Sequence, residues 1–144
     1  MKGSIMDWQN FKTVGLWTVL ILSSLISGCG PSGPTLYTVR GKVTHNGKPM
    51  AKLYIVFQPD DPLKAAESIA LTEDDGSYEM SIGSTPGVFP GEHTVTADDP
   101  RRPDGLKIST EPDYLEVIKK YGPGVSTYRV DIQKNMKDFE IKLD

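Results

Sequence analysis

The chain has 144 residues, of which 16 are basic and 19 acidic, and its net charge is −3. That length amounts to one domain, and an acidic balance without a basic run excludes a nucleic-acid surface. One cysteine excludes an internal disulfide, and two histidines exclude a three-histidine metal centre.

The first element is a leader. Lys2 and Lys12 precede thirteen mostly apolar residues, Val14 to Ile26, and a positive stretch ahead of an apolar one is the secretory pattern. As a helix these residues reach about 20 Å against a hydrocarbon core of ~30 Å. A signal-peptide helix is therefore expected rather than a permanent span. Asp7 is atypical of such a leader, although the two lysines outnumber it.

The apolar run ends in Leu25-Ile26-Ser27-Gly28-Cys29. Small residues before a lone sulfur nucleophile, with aliphatic ones ahead of them, resemble the lipobox of bacterial lipoproteins. The resemblance implies that the Cys29 thiol takes a diacylglyceryl group, that cleavage falls between Gly28 and Cys29, and that the new amino terminus is acylated, with chains such as palmitate. A chance cysteine behind an ordinary secretion signal, or an uncleaved anchor, is the alternative. Gly30-Pro31-Ser32-Gly33-Pro34 then reads as a tether, because its prolines and glycines interrupt helix and strand. Residue 30 is not the aspartate that retains lipoproteins at the inner membrane, so the resemblance implies a cell-envelope location at the outer membrane or another periplasm-facing membrane.

The expected organisation is a signal peptide over 1–28, a flexible tether over 29–35 and one domain over 36–144. Removing Lys2, Lys12 and Asp7 leaves 116 residues with 14 basic and 18 acidic side chains, a net charge of about −4.

Period-2 alternation dominates the remainder. Tyr37, Val39 and Val43 alternate with polar residues, and Asn46-Gly47 supplies a tight hairpin turn. Leu53 to Phe57 is apolar on both faces, which predicts a central strand ended by Pro59 and Pro62. Ile69 and Leu71 mark a third short strand. The turn Glu73-Asp74-Asp75-Gly76 leads into Tyr78, Met80 and Ile82 as a second hairpin. His93, Val95 and Ala97 form another strand. Residues 98–112 are polar and proline-rich, and Asp113 to Tyr121 turns helical, with Tyr114, Leu115 and Ile118 sharing a face until Gly122-Pro123 stops it. The last two strands carry Tyr128, Val130 and Ile132, then Phe139, Ile141 and Leu143.

About seven short strands without a βα rhythm predict an all-β, two-layer sandwich with one short helix. The pattern alone admits an immunoglobulin-like sandwich without its disulfide. Val39-Arg40-Gly41-Lys42-Val43 with Asn46-Gly47-Lys48-Pro49, then Thr72-Glu73-Asp74-Asp75-Gly76-Ser77-Tyr78, then Pro90-Gly91-Glu92-His93-Thr94-Val95, resembles the transthyretin-like (prealbumin-like), carboxypeptidase-regulatory-like sandwich. In particular it is similar to small envelope lipoproteins that carry this domain behind a lipobox. His93 stands where that family has a tyrosine or an aliphatic residue, which puts a polar ring at the core or its margin.

The candidate chemistry is thin. Glu73, Asp74 and Asp75 offer clustered oxygens to calcium, but the EF-hand spacing is not met and a turn favours Asp-Gly in any case. His45 is expected to be a solvated turn residue, and His93 a half-buried strand residue bonded to the backbone. Transthyretin-like folds include hydroxyisourate hydrolase, whose site needs histidines, an arginine and a C-terminal Tyr-Arg-Gly-Ser. This chain ends Phe139-Glu140-Ile141-Lys142-Leu143-Asp144, and Tyr128-Arg129 is followed by Val130.

Arg101, Arg102, Tyr114 and Tyr121, in the long insertion, are the candidates for contacting an anionic or glycan partner. The expectation is a non-catalytic, membrane-anchored envelope module that binds a protein, carbohydrate or other ligand, or serves structurally, with no cofactor, no metal and no nucleic acid. The alternative is a cryptic metal-binding or hydrolase-like activity.

Overall fold

The central strand of the first sheet is β1 (Val39–His45), in which Val39, Val43 and His45 are buried while Arg40 and Lys42 face water. The computed structural model describes residues 34–100 and 111–144. The leader, Gly28, Cys29, Arg101 and Arg102 lie outside the described residues. On one side β1 pairs in parallel with β10 (Met136–Lys142). On the other it pairs antiparallel with β2 (Lys48–Pro49) at its end and with β5 (Ser77–Glu79) at its start. The β1–β2 turn is the expected one: Asn46 and Gly47 both have positive φ, 51° and 73°, the mirror-image turn whose twist matches the strands.

The second sheet runs β7-β6-β4-β3-β8-β9. Its strands are β3 (Tyr54–Pro59), β4 (Ser68–Leu71), β6 (Ser81–Ile82), β7 (Thr85–Pro86), β8 (Gly91–Asp98) and β9 (Arg129–Ile132). As its two apolar faces required, β3 is central, between β4 and β8. The two inner faces bury one cluster that includes Val39, Val43, Ile55, Phe57, Val95, Ile132 and Ile141. The all-β, two-layer sandwich with one short helix is therefore the observed fold. The seven expected runs are present, and two short strands, β2 and β7, join them.

Two local expectations are corrected here. The acidic turn at 73–76 does not close a hairpin. It carries the chain from β4 in one sheet to β5 in the other, and the run Ser77–Ile82 is itself divided, β5 pairing with β1 and β6 with β4. Ile69 and Leu71 do mark β4, but they face outward, 40% and 44% exposed. Register explains this: Ile55 opposes Ala70 and Phe57 opposes Ser68, and opposed residues share a face, so the inward positions of β4 are filled by its small side chains. Ile69 and Leu71 instead pair across the outer face with Val56 and Tyr54.

The helix, α1 (Pro112–Tyr121), opens on a proline, whose missing N–H is not needed there, and carries Asp113 in its first turn and Lys119 and Lys120 in its last. Its inward face is Tyr114, Val117 and Tyr121 rather than Tyr114, Leu115 and Ile118. Val117 is fully buried and Leu115 is 48% exposed, because 114, 117 and 121 keep to one stripe of the helix. Among the described residues no helix is long and apolar enough to cross a membrane.

Face assignment predicts contrasting losses for two isoleucines. Ile141 is fully buried, so Ile141→Ala should destabilise by about 2–5 kcal/mol, whereas Ile69→Ala should stay within about 1 kcal/mol. Urea midpoints measure both, and equal shifts would mean the faces are wrong. Ser68 is fully buried and its Oγ has no hydrogen-bond partner among the described residues. Removing an unbonded buried hydroxyl relieves a desolvation penalty. Ser68→Ala is expected to be neutral or to stabilise by about 1 kcal/mol, and a clear loss of stability would show that the hydroxyl is bonded.

Candidate functional site

Both imidazoles lie inside the sandwich, at opposite ends of it and in different sheets. His45, at the last position of β1, is only 2% exposed, which corrects the expectation of a solvated turn residue. The physical reason is that Leu143, fully buried beyond β10, offers its carbonyl to the ring. A carbonyl can only accept, so Nδ1 carries a proton and donates it, and Nε2 is the ring's other contact atom. Asn46 Nδ2 lies 2.9 Å from that nitrogen, and a Glu116 carboxylate oxygen from α1 stands 3.8 Å away. The ring thus ties the ends of β1 and β10 together beside the helix.

His93 has the backbone partner expected of it, Nδ1 donating to Gly91 O at 2.9 Å. It is fully rather than half buried, because position 93 of β8 faces inward between Gly91 and Val95. Its ring is tilted 47° to that of Phe57 at a centroid distance of 6.1 Å, and Nε2 has no partner among the described residues. Neither ring presents both a free nitrogen and a substrate-accessible position.

The acidic turn binds its own chain. Asp75 accepts from Ser77 N and from Lys42 Nζ, both at 3.0 Å, and Asp74 pairs with Lys52 at 3.0 Å. Among the described residues no group of three or more histidine, cysteine, aspartate or glutamate side chains is placed to hold a metal ion. Hydrogen bonds from the Ser77 hydroxyl and backbone N–H, then from Lys42, hold the Asp75 carboxyl well below the usual carboxylate range. A group depressed on folding stabilises fully above its unfolded pKa and loses that contribution as pH falls through and below the ordinary range near about 4. The domain should therefore weaken on acidification, and Asp75→Asn should flatten part of that fall. Asp75 is exposed, so high salt should shrink the effect. Superimposable stability-versus-pH curves for the two proteins would refute this.

The tyrosines of the insertion serve the fold. Tyr121 is 9% exposed and donates its hydroxyl to Asp144 O at 2.5 Å, and its ring meets Tyr128 edge-on at 6.3 Å. Tyr114 is part-buried against the core. Tyr121 is thus turned inward, contrary to its expected role of meeting a partner, because it lies on the one apolar stripe of α1. Tyr78, a further inward phenol, donates to Phe139 O at 3.0 Å. Burial, with Tyr128 nearby adding to it, pushes its hydroxyl far above the ordinary value, so it stays protonated.

Two of the open grooves among the described residues hold about 500 Å³ or more. One, of about 500 Å³ over β1 and β5, is lined by Arg40, Lys42 and Lys137 against Glu73, Glu79 and Asp138, whose charges balance. The other, of about 540 Å³, lies along the β3–β4 connection at Gln58, Pro59 and Pro62. Neither contains a histidine. Not anticipated from the sequence was Arg129 on β9, which bonds Asp60 and also reaches Glu92 at 3.3 Å and Thr94 at 3.1 Å. Cross-strand neighbours this far apart in the chain leave no local signal. A scan against protein-family models, a search of curated proteins and a search of solved structures return no match.

Proposed function

We propose that this protein is a membrane-anchored lipoprotein of the bacterial cell envelope, whose sandwich acts as a non-catalytic structural or binding module. The observation that carries the reading is the leader: Lys2 and Lys12, a thirteen-residue apolar run and the ending Leu25-Ile26-Ser27-Gly28-Cys29, which delivers the only thiol of the chain. A lipid chain contributes ~0.8 kcal/mol per buried methylene, and two or more chains on one residue anchor stably where one does not. Two features of the folded domain support the reading. The compact unit begins at Pro34, a few residues past the cysteine. Both histidines are buried and neither lines a described groove, which supports a non-catalytic reading.

Intact-mass analysis of the protein extracted from membranes tests this directly. The expected product starts at Cys29 and carries the mass of its acyl groups. An unmodified amino terminus at any other residue would refute it.

A further inference from the structure

The connection from β3 to β4 presents an ordered apolar tip. Leu63 is 96% exposed, yet its turn is held firmly. Asp61 Oδ1 accepts from Leu63 N at 3.1 Å, Asp61 O accepts from the backbone N–H groups of Lys64 at 3.1 Å and Ala65 at 3.2 Å, and the Lys64 ammonium pairs with Asp61 at 2.7 Å. A lone exposed leucine is ordinary on a protein surface. Its position is what distinguishes this one.

The described chain starts beside that turn. Tyr37 bridges Val88, and Thr38 N donates to Asn135 Oδ1 at 2.8 Å, three residues after Ile132. Ile132 opposes Gly91, and the next residue, Glu92, takes a hydrogen bond from Asp60 N at 3.1 Å. The start of the domain and the Leu63 turn therefore share one end of the sandwich. At the other end lie His45 and α1, whose Asp113 pairs with Lys48 at 3.4 Å. The length of β1 separates the two ends by about 20 Å.

If Cys29 is acylated, at most about 17 Å of extended chain joins it to Pro34, so the end bearing Leu63 is the one held against the bilayer. We infer that the Leu63 turn dips into the lipid surface and fixes the orientation of the domain, with α1 and the β1–β2 turn pointing away. This rests on the lipoprotein reading.

The test uses the full-length protein, purified from membranes and placed in vesicles of phosphatidylethanolamine and phosphatidylglycerol with brominated acyl chains. Both tryptophans, Trp8 and Trp17, precede Cys29, so in the processed chain Leu63→Trp supplies the only indole. Its fluorescence should shift to the blue and be largely lost in brominated vesicles, while that of Leu115→Trp on α1 should be unchanged. Quenching of neither or of both, in protein that floats with the vesicles and carries acyl mass, overturns the orientation and leaves the anchor standing. Protein that carries no acyl mass and does not float overturns both.

Discussion

Cys29→Ser is expected to leave residues 1–28 attached and to abolish the acyl mass. The argument is chemical. Only a thiolate is nucleophilic enough at neutral pH to take the lipid in this way, and the resemblance implies that cleavage waits for that modification. Any variant left in the membrane fraction would then be held by the uncut leader alone, whose thirteen apolar residues would reach, if helical, only about 20 Å of a ~30 Å core. It should be extracted far more readily than the parent, which is held by several chains. Gel mobility, intact mass and carbonate extraction measure the three effects together. Normal cleavage with an unchanged acyl mass would place the lipid elsewhere and end the lipoprotein reading.

The second large effect belongs to Gly41→Ala. At this point β1 and β10 fall out of step: the two steps of β1 from Val39 to Gly41 are matched by three of β10, from Met136 to Phe139. The bulge brings β10 across the face of Gly41. A methyl there would sit 2.0 Å from Phe139 O and 2.6 Å from Phe139 C. Those are backbone atoms, so no rotamer change relieves the contact. Either β10 leaves β1, or the bulge is lost and Ile141 and Leu143 leave the core with it. We expect about 3 kcal/mol or more of destabilisation, at the upper end of overpacking. Gly47→Ala is the useful comparison. Gly47 has φ +73° with nothing within 4 Å of the added carbon, so only the left-handed backbone penalty of roughly 1–2 kcal/mol applies. A Gly41→Ala midpoint in urea no lower than that of Gly47→Ala would show that β10 does not pass so close.

The candidate site was less legible than the strands. The acidic turn could be read as a turn because Asp-Gly has a local conformational preference, and Gly76, with φ 75°, meets it. The inward alternation of Val39 and Val43 extends to His45, but its place beside the turn pointed to water. Its neighbours Asn46, Gly47 and Lys48 are all exposed, and the carbonyl that draws it inward belongs to Leu143, 98 residues away. The inward turn of Tyr121 is also set by distant packing: a tyrosine in a polar insertion looks outward until the stripe it shares with Val117 meets the core.

The sequence by itself determined the seven main strand-forming runs, where the Asn46-Gly47 turn falls, that one short helix interrupts them and that the result is a two-layer sandwich. Alternation with a period of two and positive-φ turns are properties of neighbouring residues, so they are written locally. The tertiary structure alone decided the parallel pairing of β1 with β10, the crossing of residues 73–82 between sheets and the inward face of β4. Each depends on which distant strand supplies the opposing side chain. Thus Ala70, not Ile69 or Leu71, faces the core because Ile55 stands opposite it in the register the folded sheet adopts.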